Sequence, residues 1–163
     1  PEIGRIPGAK RAESGVMPPL LSQFAVSCFL SGLIWTIQVV HYPLMARVGA
    51  PGFAEYERLH SNWITPLVGP MMLAEAALAG LLLLQRPTGI PAWMPWVGAA
   101  LVALLWGVTF LISVPCHATL AQGFDASAHA RLVDTNWIRT LAWTARAGLV
   151  GWMVWCAWTA GKT

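Results

Sequence analysis

The chain has 163 residues, of which 56% are hydrophobic and 10% charged, with a mean hydropathy of +0.58. Soluble domains carry about a quarter charged residues, so this composition excludes an ordinary water-soluble globule. The net charge of +3 comes from Lys and Arg scattered along the chain, which offers no basic patch for nucleic acid, and the length suits one domain.

Residues 1–18 show no apolar periodicity and read as a polar N-terminal tail, neither signal nor transit peptide. A tail of this kind is expected to be ordered only where something outside the chain holds it. Beyond it, residues 15–46 and 87–124 contain no Asp, Glu, Lys or Arg. About 20 apolar residues in a helix cross the hydrocarbon core of a bilayer, and hydropathy predicts four such helices. They run from about Pro19 to Pro43, Asn62 to Gln85, Pro91 to Pro115 and Asn136 to Trp158. The breaker Arg86-Pro87-Thr88-Gly89-Ile90-Pro91 joins the second and third in a tight hairpin. The other two connections are longer, and Phe53–His60 reads as a short interfacial helix. The fold class is all-α, a four-transmembrane-helix bundle over residues 19–160.

Landmarks recur in the two halves. Trp35 precedes Pro43 and Trp106 precedes Pro115; Gly52-Phe53, Arg58-Leu59 and Asn62-Trp63-Ile64 answer to Gly123-Phe124, Arg131-Leu132 and Asn136-Trp137-Ile138. This order predicts two repeated helical hairpins. Trp63 and Trp137 are expected at one interface, and Trp93, Trp96, Trp155 and Trp158 at the other. Trp35, Trp106 and Trp143 fall deeper and read as packing residues. The bias of basic residues puts both termini on one side, the cytoplasmic side of a bacterial inner membrane. Cys28, Cys116 and Cys156 are odd in number and sit in apolar segments, so no disulfide framework follows.

The four histidines gather at one end: His41, His60, His117 and His129, one near the end of each helix. That layout is what a metal or haem would need, although nothing in the sequence requires a cofactor. Glu57-Arg58-Leu59-His60 has the Glu-x-x-His spacing of di-iron bundles, but no second such motif exists. His41, His60, His117, His129 and Glu57 are therefore the metal candidates. Solvated loop polarity at one rim is the plainer account of the same residues. Deeper, Glu75 and Arg146 lie 13 residues after Asn62 and 10 after Asn136. Aligned on those asparagines, their offset is about 4.5 Å along the axis, within reach of long side chains, so they are expected to form a buried ion pair. Arg139, Trp143 and Arg146 share one helix face.

The stretches Gln38-Val39-Val40-His41-Tyr42-Pro43 and His60-Ser61-Asn62-Trp63-Ile64-Thr65-Pro66, with Val114-Pro115-Cys116-His117 and Thr135-Asn136-Trp137-Ile138-Arg139, carry a likeness over about residues 20–158. The chain resembles the anthrone-oxygenase-like family of small four-helix bacterial membrane proteins. The resemblance implies oxidation of polycyclic aromatics with dioxygen and no metal; it matches no catalytic motif and transfers no residue role.

Two functions are compatible with these features. One is an accessory subunit of a larger respiratory or photosynthetic membrane complex, or a homo-oligomer, held by other subunits through its tail and tryptophan faces. The other is a membrane oxidoreductase or oxygenase acting on a lipophilic aromatic or quinone-like substrate. Its site is expected between the repeats, lined by His41, His60, His117, Asn62, Asn136 and Arg139, with a histidine as general base.

Overall fold

The structure, a computed structural model, describes residues 7–162, with side chains from Met17 onward. Residues 1–6 of the expected tail lie outside the described residues. Among those described, the chain is all-α, without strands. The first rod is α1 (Pro7–Thr36), a π-helical turn (Ile37–His41) and α2 (Tyr42–Met45); the second is α3 (Ala50–Leu84). The third is α4 (Trp93–Val108), a second π turn (Thr109–Ser113) and α5 (Val114–Leu120); the fourth is α6 (Ala126–Ala160).

The segments Met17–Met45, Ala50–Leu84 and Trp93–Leu120 are long and apolar enough to cross a membrane. The chain is a membrane protein by that criterion. The fourth rod is as long as the second, 35 residues, but less apolar, because it carries Arg139 and Arg146 inward and several tryptophans outward. Arg139 and Arg146 belong to the interior of the bundle, where charges in membrane segments are normally held.

Several element boundaries differ from expectation. Phe53–His60 is not a separate interfacial helix; it forms the first turns of α3, and Glu55 and Arg58 pair at 2.6 Å on its exposed face. α6 likewise starts ten residues before Asn136, capped by the Asp125 carboxylate, which accepts from the Ala128 amide at 2.7 Å. The loops at this end shrink to residues 46–49 and 121–125. Pro43 and Pro115 do not stop their helices, and each follows a π turn. There the amides of Tyr42 and Val114 reach back five residues, to the carbonyls of Ile37 and Thr109. Proline lacks an amide to donate, and the widened turn accommodates it at the start of the next segment.

The π turns also keep the inward face aligned. Val108 and Ser113 are five residues apart yet both buried, a spacing that would drift off one face of a regular α-helix. Gln38 and Tyr42, four residues apart at the first π turn, are both buried.

Around the bundle, α1 packs on α6 and α3, and α4 packs on the same two helices. α3 and α6 therefore face each other across the diagonal and run in the same direction. Three apolar clusters fill the interior from end to end. Leu20, Leu82, Met94 and Met153 lie near the α3–α4 turn. Leu30, Met72, Leu105 and Trp143 occupy the middle. Tyr42, Met45, Phe53, Leu120 and Leu132 fill the histidine end. The α3–α4 turn needs Gly89, whose φ is +81° and whose missing Cβ would run into that of Ala160.

Candidate functional site

The first turns of α3 supply most of the site. Glu57, His60, Ser61 and Ile64 recur at the spacing of one helix face, and that face turns toward the bundle. Glu57 is fully buried. Its Oε1 accepts from Ser61 Oγ at 3.1 Å and lies 2.6 Å from Nδ1 of His117, on α5. A carboxylate oxygen is an acceptor, so this contact places the His117 proton on Nδ1 and leaves Nε2 as the ring's basic atom. Oε2 of Glu57 has no hydrogen-bond partner among the described residues.

His41, His60 and His117 come together. The rings of His41 and His60 stack with centroids 4.3 Å apart, and His60 lies 5.5 Å from His117. Tyr56 continues the row, its ring 6.0 Å from His41 and its hydroxyl 3.5 Å from that ring's nitrogens. His129 stands apart: its Nε2 lies 3.1 Å from the carbonyl of Tyr42 and its ring packs on Phe124.

The metal candidates do not assemble into a ligand set. Among the described residues no group of three or more His, Cys, Asp or Glu is arranged to hold an ion. The stacking explains this, because nearly parallel imidazoles keep their nitrogen lone pairs in separate planes instead of aiming them at one point.

A cavity of about 190 Å³ opens beside these residues, between α3 and the second π turn. Ile64, Val68, Met72 and Phe110 give it apolar walls, while His60, His117, Tyr42, Ser113 and Arg139 line its polar end. His60 and Ile64 also border a shallower groove of about 330 Å³ on the outer side, with His41, Tyr56 and Trp63. His60 thus separates the two concavities.

Behind the cavity a buried polar network links the first and fourth rods. Asn136 Nδ2 donates to Gln38 Oε1 at 2.7 Å, and Gln38 Nε2 donates to the Val133 carbonyl at 3.3 Å. Arg139 donates through Nη1 to Asn136 Oδ1 at 3.2 Å and to Ser113 Oγ at 3.3 Å. Asn136 therefore fixes Arg139 and does not itself line the cavity. Asn62 is a correction to the expected lining: it is exposed and borders neither concavity. Two residues beyond His60, it is carried to the outer side by the helical rotation.

Deeper in the bundle, Arg146 Nε lies 2.7 Å from Glu75 Oε1, with both side chains buried. Ser27 Oγ donates to Oε1 of the same carboxylate at 3.1 Å, Trp143 Nε1 donates to Oε2 at 3.0 Å, and Arg146 Nη1 donates to the Gly98 carbonyl. Four helices meet at this carboxylate and its partner. Trp143 stands between the two zones, its indole bonded to Glu75 and its ring 5.1 Å from the Arg139 guanidinium.

The sequence argument did not single out Tyr42, Tyr56 or Ser113. Tyr42 carried a signal, an aromatic directly between His41 and Pro43; Ser113 carried none apart from its place two residues before Pro115. No family model matches the chain, and no curated protein or solved structure matches it either.

Proposed function

We propose that this chain is a membrane-embedded oxidoreductase or oxygenase acting on a lipophilic aromatic or quinone-like substrate in the cavity between α3 and the second π turn. The observation that supports it most is the His117–Glu57 contact of 2.6 Å at the polar end of an apolar pocket. Glu57 accepts the Nδ1 proton, so Nε2 of His117 takes a proton from an acidic C–H or O–H of the substrate. The carboxylate then offsets the charge of the imidazolium. The electron pair left on the substrate passes to dioxygen, the oxidant implied by the resemblance to the anthrone-oxygenase-like family. In balance, one CH2 group and O2 become one C=O group and water.

The two halves frame this site. Each carries a π turn followed within two residues by a proline, at Pro43 and Pro115, which we read as the mark of a duplicated hairpin with the pocket where the copies meet. The accessory-subunit reading rests on an ordered tail, of which residues 7–18 belong to α1 and residues 1–6 lie outside the described residues. The exposed Trp63, Trp96, Trp155 and Trp158 suit a lipid interface without any partner.

The test is oxygen uptake by the purified protein in lipid with a panel of enolisable and phenolic polycyclic aromatics. His117→Ala is expected to lower uptake by roughly 10²–10⁴-fold, the usual contribution of a general base, and Glu57→Gln to lower it substantially. Uptake unchanged in His117→Ala, in a protein that remains folded, would sink the reading.

A further inference from the structure

Arg139 is only 7% exposed, and the side chains it contacts are neutral. Nη1 donates to Ser113 Oγ and Asn136 Oδ1, and the face of Trp143 lies 5.1 Å away. Nε has no partner. The ion pairs found among the described residues are Arg58–Glu55, His117–Glu57 and Arg146–Glu75, and none of them includes Arg139.

The contrast with Arg146 is informative. It lies seven residues further along the same helix, equally buried, and meets the carboxylate of Glu75. Where Arg146 has a counter-ion, Arg139 has a cavity. A guanidinium without a counter-ion, lining a space walled by Ile64, Val68 and Met72, is complementary to an anionic oxygen on an apolar body. The Glu57 carboxylate at this end is engaged through Oε1 by His117 and Ser61.

We infer that Arg139 anchors a lipophilic anion in this cavity, with a carboxylate, phenolate or enolate oxygen against the guanidinium and a small ring system between α3 and the second π turn. The volume of about 190 Å³ lies below the range of drug-sized sites, which limits the body to one or two rings. The inference deepens the proposed function by naming the charge of the ligand. It rests on that reading for the pocket but not for the chemistry. A ligand whose acidic proton has gone to His117 is then held as its anion by Arg139.

Calorimetric titration of the full chain in phosphatidylcholine nanodiscs tests it, with 2-naphthoate as probe and the neutral 2-naphthamide as control. Wild-type protein is expected to bind the carboxylate at least about tenfold more tightly, as a charge-assisted contact implies. Arg139→Gln should abolish that preference and Arg139→Lys should keep part of it. Gly69→Phe gives a second handle: a Cβ at Gly69 meets nothing within 4 Å, and this residue lines the cavity. It should fold normally and block binding of both probes.

Repeating the titration in discs containing phosphatidylglycerol separates two sources of the anion. Weaker naphthoate binding there assigns a lipid headgroup, and unchanged binding assigns a free lipophilic acid. Absence of saturable naphthoate binding to the wild type, equal affinity for the two probes, or a preference that survives Arg139→Gln would overturn the inference. Binding is read without turnover, so the two proposals fail separately. A lost preference beside intact His117-dependent oxygen uptake removes only the anion assignment; the reverse removes only the enzyme.

Discussion

Glu75 and Arg146 meet at 2.7 Å across the diagonal of the bundle, on helices that face each other without being adjacent in the ring. Long side chains bridge what the backbones do not, and Ser27 from α1 and the Gly98 carbonyl from α4 close the cluster. All four rods are thereby tied to one buried point. A pair of this kind gains less than its Coulomb energy implies, because both charges were stripped of water, but breaking it from one side leaves a bare charge in the interior. Glu75→Gln or Arg146→Met alone should therefore cost about 3–5 kcal/mol. The double variant Glu75→Leu/Arg146→Met should recover much of that loss. Thermal or chemical unfolding in a fixed detergent measures the cycle. Additive losses would show that the two residues are not coupled.

The same cluster makes Gly98 a sensitive position. A Cβ there would stand 3.0 Å from Arg146 Nη1, with Leu149 and Met153 at 3.8 Å. The guanidinium has no room to yield, being held by Glu75 on one side and the Gly98 carbonyl on the other. Gly98→Ala is expected to destabilise the protein by about 1–3 kcal/mol, the usual scale of overpacking, and Gly98→Val by more. The effect should disappear in an Arg146→Met background. A loss that persists there would place the clash with Leu149 and Met153 instead.

Some of this arrangement was readable from residue order. Depth along a helix follows from counting, so Glu75 and Arg146 could be set at one level, and Arg139, Trp143 and Arg146 on one face, before any coordinates. Counting does not reveal which rods are diagonal, nor that Ser27 and Gly98 complete the cluster, because those contacts depend on lateral packing. The histidine end was less legible. Hydropathy stopped the helices near Pro43 and Pro115 and started them at Asn62 and Asn136, since it scores polar residues as loop. The structure carries helix through all four points by means of two π turns and the Asp125 cap. Those extra turns separate Asn62, which faces outward, from His60 and Glu57, which face in. No hydropathy window registers a π turn, and so neither Ser113 nor Tyr42 could be assigned to the cavity.

Asp125 gives the fourth rod its start, and it titrates. Its carboxylate accepts from the Ala128 amide and, at 2.7 Å, from the Ser127 hydroxyl. The hydrogen bond from the Ala128 amide, then that from Ser127, holds its pKa below the usual carboxylate value. A group whose pKa is depressed on folding contributes stability above its unfolded value, and that contribution is lost as pH falls through the folded one. The protection of the Ala128 and His129 amides, measured as exchange relative to an unfolded chain at the same pH, should therefore fall as the solution is made acidic through the carboxylate range. Asp125→Asn keeps an acceptor at the cap and should remove the acid-induced part of that change. If exchange in Asp125→Asn followed the same pH profile as the wild type, the cap would not be its source.

The second π turn makes a sharper prediction, because it holds one residue more than an α-helix would use there. Val108 and Ser113 are both buried with four residues between them. Removing one exposed residue inside the turn, Leu111, leaves Val108 and the serine four apart, the natural spacing for one face of an α-helix. The face of α5 that carries Cys116 and Leu120 then keeps its phase. Deleting Leu104, which is also exposed but lies in regular helix, rotates everything downstream by about 100° and turns the buried face outward. Deletion of Leu111 should thus give a folded protein at a cost of about 1–3 kcal/mol, whereas deletion of Leu104 should prevent folding. Size-exclusion profiles and melting temperatures of the two deletions decide between these outcomes. Equal damage from both would mean that the π turn carries no spare residue. The shortened turn also carries Thr109, Phe110 and Ser113, which line the cavity. A folded Leu111 deletion should therefore lose oxygen uptake while keeping most of its stability, because it closes the wall that the π turn holds open.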